Sequence, residues 1–124
     1  MQSEPSSYSI SELSREFGVT PRSIRHYEDE KLISPTRKGT QRVYGRGDRV
    51  RLQLILRGRR IGFSLSEIRE IITMYDSPSG ESKQTLLLLQ KIKRRRAALA
   101  QQQQDIKNML GELDQLENKL INNS

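Results

Sequence analysis

The chain has 124 residues, a formal net charge of +7, and only 33% of its residues are hydrophobic. That leaves room for one small domain plus an extension that needs a partner, and the charge favours a polyanion such as nucleic acid. With no cysteine and one histidine, His26, the sequence excludes disulfides, thiolate metal sites and cysteine nucleophiles; no metal, cofactor or catalytic residue is expected.

Ser9 followed three residues later by Glu12 forms a reciprocal helix cap. Ile10, Leu13 and Phe17 then recur at helical spacing before Gly18, which predicts a first helix over Ile10–Phe17. Thr20 can accept a hydrogen bond from a first-turn amide, and Pro21 occupies the helical position where a missing N–H costs nothing, so a second helix starts there. Along it Ile24 and Tyr27 can face a core, while Arg22, Arg25 and His26 project elsewhere, free to meet phosphates or base edges. Only Gly18, Val19 and Thr20 separate the two helices. That spacing suits a helix-turn-helix whose second helix enters a DNA major groove.

Past Leu32, Ile33 and Pro35, the segment TRKGTQRVY combines extended-favouring Thr36, Val43 and Tyr44 with a turn at Gly39. It predicts a two-stranded wing carrying Arg37, Lys38 and Arg42. Residues 48–61 read as a third helix, with Val50, Leu52, Leu54, Ile55 and Ile61 towards a core and Arg49, Arg51, Arg57, Arg59 and Arg60 towards solvent or phosphate. Gly58 within it costs about 1 kcal/mol relative to alanine, so either the helix is ending there or another backbone comes close. Ser64 and Glu67 repeat the reciprocal cap ahead of Leu65, Ile68, Ile71 and Ile72, a fourth helix. Between Arg37 and Arg60, nine cations face the single acid Asp48, a local balance of +8. Such a band has the character of a phosphate-tracking surface.

Ser77, Pro78, Ser79 and Gly80 interrupt the helical pattern. Residues 82–121 then contain no proline. Ile92, Leu99, Ile106, Leu113 and Leu120 recur every seven residues, interleaved with Leu88, Arg95, Gln102, Met109 and Leu116. A helix of about 60 Å cannot bury such a seam alone. It reads as a coiled-coil dimerisation helix, with Ile92, Leu99, Ile106, Leu113, Leu116 and Leu120 in the contact and the polar Arg95 and Gln102 setting register. Lys93 to Arg96 read as a solvated flank more than a binding site. The expected fold is all-α with a small β wing: a winged helix-turn-helix DNA-binding domain over residues 1–76, a linker over 77–81, an antiparallel coiled-coil dimerisation helix over 82–121 and a tail over 122–124. The longest aliphatic run, Leu86 to Leu89, is far too short to span a bilayer, and the first residues lack a signal-peptide layout. A cytoplasmic protein with no membrane partner is expected.

The ordered segments YSISELSREFGVTPRSIRHYEDEKLISP, QRVYGRGDRVRL and GFSLSEIREII, followed by the heptad helix, resemble the MerR family of bacterial transcription regulators over essentially the whole chain. The resemblance implies a homodimer joined by antiparallel long helices. It also implies an inverted-repeat operator in double-stranded promoter DNA, and control of RNA polymerase by distortion of the promoter spacer. By the same resemblance Arg22, Arg25 and Tyr27 occupy recognition-helix contact positions, Arg42 and Tyr44 wing positions, and Arg59 a second-wing position; Arg37 joins them as part of the cationic band. For Tyr27 and Tyr44 the alternative, a half-buried core aromatic, stays open as the lesser reading. Gln41 stands where the family's wing has a tyrosine, and the cysteines of metal-sensing members are missing. The segments VRLQLILRGRRIGFSLSEIREII and MYDSPSGESKQ look most like the LiuR type, which regulates leucine, isovalerate and related branched-chain catabolism. That narrower likeness implies a small organic acid or acyl-CoA effector.

Overall fold

The computed structural model describes residues 6–76 and 80–123. In chain order the elements are β1 (Ser7–Tyr8), α1 (Ile10–Phe17), α2 (Pro21–Asp29), β2 (Thr36–Lys38), β3 (Gln41–Gly45), α3 (Arg46–Arg60), α4 (Leu65–Tyr75) and α5 (Gly80–Asn122). The fold is mainly helical with a small sheet. Two compact units divide it, residues 1–84 and 85–124.

Local chemistry sets most of the boundaries in the first unit. The Glu12 amide donates to Ser9 Oγ at 3.1 Å and the Ser9 amide donates to Glu12 Oε1 at 2.9 Å, closing the expected cap of α1. Accepting the Ser9 amide holds the Glu12 carboxyl below its ordinary range. Gly18, at φ 65°, ends the helix in the left-handed region that glycine enters without penalty. α2 opens as read, with the Ser23 amide donating to Thr20 Oγ1 at 3.1 Å. It closes without a glycine: Lys31 adopts φ 61° while the Leu32 amide donates to the Tyr27 carbonyl at 2.9 Å. That bond satisfies a last-turn carbonyl and offsets the cost of a left-handed non-glycine residue.

α3 starts two residues earlier than expected. Asp48 is not at its threshold but one turn inside, reaching back to accept from the Gly45 amide at 3.0 Å and also from the Ser34 amide at 2.9 Å. The expected end also shifts, since Ile61 lies beyond α3 and is 47% exposed, not a core residue. Val50 and Leu54 are only half-buried. Phe63, which lies outside the helical spacing of either neighbour, is in the core instead. It precedes the Ser64 cap and Ile68 lies in the first turn, the two positions of a hydrophobic staple; Tyr8, Ser9 and Leu13 repeat the device at α1. Gly58 is explained by this packing. A Cβ there would stand 2.9 Å from Ile68 Cγ1 and 3.5 Å from Phe63 Cδ2, so the close neighbour is a pair of side chains, not a backbone.

The wing departs from the two-stranded hairpin read from sequence. β3 is the middle strand of three, in the order β1-β3-β2 with both pairings antiparallel. Tyr8 pairs with Tyr44, and Arg37 pairs with Arg42. Around this sheet the first unit buries Leu13 of α1, Ile24 of α2, Leu52 and Ile55 of α3, and Ile68, Ile71 and Ile72 of α4.

α5 has 43 residues, about 64 Å of helix. Ser77, Pro78 and Ser79 of the expected linker lie outside the described residues, and Gly80 already belongs to the helix. Along α5 Leu99, Ile106, Met109, Leu113, Leu116 and Leu120 are between 46% and 64% exposed, and Ile92 is half-buried. Large aliphatic side chains repeated at this exposure over six turns form an apolar stripe well beyond ordinary surface scatter.

Candidate nucleic-acid interface

α2 carries the core of the site. Its buried side holds Ile24, which is fully covered, while Arg22, Arg25 and His26 are exposed and Tyr27 is half-buried. Arg22 and Arg25 are three residues apart and so share one helix face. The Tyr27 ring is tilted 53° against that of His26, with centroids 5.7 Å apart. Among the described residues neither Arg22 nor Arg25 is tied up in an ion pair. Forked donors held on a capped helix and left uncommitted suit guanine edges and phosphate oxygens.

The fold sorts the cationic band into two groups. Arg49 forks onto the Glu16 carboxylate, and its guanidinium stands 5.8 Å from the ring centroids of both Tyr8 and Phe17. Arg51 reaches Asp76 Oδ1 at 3.2 Å and Asp48 Oδ1 at 3.7 Å. These two arginines brace the first unit, so the reading that turned them to solvent or phosphate is corrected. Lys38, Arg46, Arg57, Arg59 and Arg60 are exposed. Arg59 stands on the last turn of α3, about 20 Å along the helix from Arg46. It favours the negative end of the helix dipole there as well as any phosphate.

One acid ties the wing to α2. Glu28 Oε2 accepts from Arg42 Nε at 2.7 Å, and Glu28 Oε1 accepts from Arg37 Nη2 at 3.5 Å. The structure thus brings Arg37 and Arg42 to the helix that carries Arg22 and Arg25. Glu28 escaped the sequence reading, since an acid among arginines on a helix signals no particular partner.

Tyr44 must be removed from the contact residues. It is fully buried and faces no solvent from which DNA could approach. Its hydroxyl has no hydrogen-bond partner among the described residues. Burial, reinforced by the nearby Glu28 charge, raises the phenol above its ordinary value of 10.0. The stability linked to this shift is therefore present below pH 10 and lost as pH rises through the raised value. Tyr44→Phe is expected to leave affinity for DNA within about twofold and to raise stability by about 1 kcal/mol, because it deletes an unsatisfied buried hydroxyl. Chemical denaturation beside a duplex titration reads both.

Two clefts lie in the first unit. One, of about 300 Å³, lies between the start of α1 (Ser9, Ile10, Ser11) and the wing (Thr40, Gln41, Arg42). The other, of similar volume, has Phe17, Gly18 and Val19 on one side and Gln53, Leu56, Arg57 and Arg60 on the other. Among the described residues no cluster of three metal-ligating side chains occurs, and no helix is long and apolar enough to cross a membrane.

Residues 8–75 match the profile described as MerR HTH family regulatory protein, and residues 49–116 match that described as MerR, DNA binding. "Heavy metal-dependent transcription regulator 2" of Rhizobium meliloti (strain 1021) is 30% identical over 108 residues, covering 82% of this chain and 74% of the relative. Several other curated relatives are spanned over only 51% to 63% of their length. Among solved structures, a MerR family transcriptional regulator from Bacillus cereus aligns with a TM-score of 0.70 at 30% identity, covering 91% of this chain and 81% of that one. The N-terminal part of MtaN, the Bacillus subtilis multidrug transporter activator, aligns at 0.65 and 28% identity, covering 87% of this chain and 95% of that one.

Proposed function

The chain belongs to the MerR family of DNA-binding transcription regulators, and from that premise we propose that it works as a homodimer on an inverted-repeat promoter operator. It controls RNA polymerase there by distorting the spacer between promoter elements. The observation that carries the reading is the uncommitted Arg22 and Arg25 face of α2, beside a cationic wing tied to the same helix. Bending or untwisting a spacer requires a grip on the phosphates as well as on the groove, because the deformation energy must be repaid by contacts.

The dimer contact is Ile92, Leu99, Ile106, Leu113, Leu116 and Leu120 of α5, joined by the same stripe of a second copy. Charge favours the antiparallel arrangement. The first half of α5 holds Lys83, Lys91, Lys93, Arg94, Arg95 and Arg96 against Glu81, whereas the second holds Asp105, Glu112, Asp114 and Glu117 against Lys107 and Lys119. Antiparallel copies set basic half against acidic half, and parallel copies set like against like.

A sensing reading goes with this. The Rhizobium relative is named for heavy-metal dependence, but without cysteine this chain offers no thiolate for such an ion. The effector class that its central segments suggest is a small organic acid or acyl-CoA of branched-chain catabolism. Thermal shift with branched-chain acyl-CoAs, free acids and divalent metals separates the two classes.

Titration of the wild-type protein against a duplex it enriches from a random library, and against a scrambled duplex, tests the main reading. Selectivity of about a thousandfold is expected. Equal weak binding to both would make the chain a coiled-coil adaptor, and protection away from promoters an architectural factor. In the same assay Arg25→Ala should cost about 1 to 3 kcal/mol and relax preference at one operator position. A uniform loss over all sequences would assign Arg25 to a phosphate.

A further inference from the structure

We propose that Glu28 is a positioning residue for DNA recognition: through Arg42 it fixes the wing to the recognition helix, and Arg37, not Arg42, is the wing arginine that passes to a phosphate. The inference rests on the DNA-binding reading above and divides two arginines that the sequence treats alike.

Three observations carry it. Arg37 and Arg42 are direct cross-strand partners in the β2–β3 pair, and like charges in that relation repel. The ion pairs that offset this repulsion both end on Glu28. The two contacts are unequal. Arg42 Nε to Glu28 Oε2 is 2.7 Å, with side chains 25% and 17% exposed, whereas Arg37 Nη2 to Oε1 is 3.5 Å, with the arginine 55% exposed. A short charge-assisted bond between largely covered groups holds its geometry, while a long exposed one contributes little and exchanges readily for another anion. Glu28 also lies on α2 itself, three residues beyond Arg25. Its bond to Arg42 therefore couples the element that reads base edges to the element that grips a phosphate. With this link intact the wing's grip sets the register of Arg22 and Arg25 in the groove. Without it each binds alone, and grip survives while selectivity falls.

The test uses the full chain, with the duplex that the wild-type protein enriches from a random library and a scrambled duplex of equal composition. Arg42→Gln should lower selectivity between them by about tenfold, the scale of one mismatched base pair, and leave the slope of log affinity against log salt unchanged. Arg37→Gln should weaken both duplexes alike and reduce that slope by about 0.9 for each phosphate that is no longer neutralised. Combining Glu28→Arg with Arg42→Glu re-forms the pair with its charges exchanged, and should restore selectivity to within about threefold of wild type. This exchange also serves where a single variant fails to fold, because it keeps both charges; far-ultraviolet circular dichroism verifies its fold. A salt slope that falls in Arg42→Gln as it does in Arg37→Gln overturns the proposal. So does a folded exchange variant no more selective than Arg42→Gln. If the wild-type protein enriches no duplex, the DNA-binding reading fails first and this inference with it.

Discussion

Leu113→Asp should convert the dimer into a monomer in sedimentation and lower affinity for a two-half-site operator by roughly a hundred- to ten-thousandfold, the advantage that joining two binding modules confers. The cause lies in exposure. Leu113 is 60% exposed in the single chain and lies within a stripe of aliphatic side chains of similar exposure, so in the proposed dimer its burial energy comes from the second copy. An aspartate in the closed seam would lose its water without gaining a partner, at a cost of several kcal/mol. Residue 113 belongs to the second compact unit, so affinity for an isolated half-site should change little. A variant that still sediments as a dimer would remove the account of α5 and leave that of α2 intact.

Asp48→Ala should lower the stability of the first unit by about 2 to 3 kcal/mol and its melting temperature by roughly 10 to 20 °C, read by circular dichroism or calorimetry. Asp48 is 6% exposed, and one carboxylate accepts from the Gly45 and Ser34 amides while facing Arg51. Alanine leaves both donors without their acceptor and removes the cap of α3. Asp48→Asn keeps one carbonyl oxygen and should lose about half as much. Equal losses from both variants would mean that charge, not hydrogen bonding, dominates at this position.

How far the sequence predicts each feature depends on how local its cause is. α1, α2 and α4 start where Ser9, Thr20 and Ser64 place them, because a cap is an arrangement among residues three apart. The start of α3 is harder to read since glycine occupies the cap and the decisive acid sits a turn inside. Phe63 is legible in principle, as the aromatic before a capping serine that faces an isoleucine in the first turn. β1 is not: two residues show no periodicity, and their partners lie more than thirty-five positions away. The same non-locality hides the sorting of the arginines. A run of cations in sequence says nothing of where the carboxylates will be, and Glu16, Glu28 and Asp76 reach Arg49, Arg42 and Arg51 only once the chain has folded. Tyr44 illustrates the converse. The residue type fits a phosphate contact, but its place in the central strand turns it inward.

The third strand has a practical consequence. Because Ser7 and Tyr8 complete the sheet along β3, these two residues act as a clasp on the reading head. Deleting Ser7 and Tyr8 would strip one flank of the central strand and loosen the hairpin that it anchors.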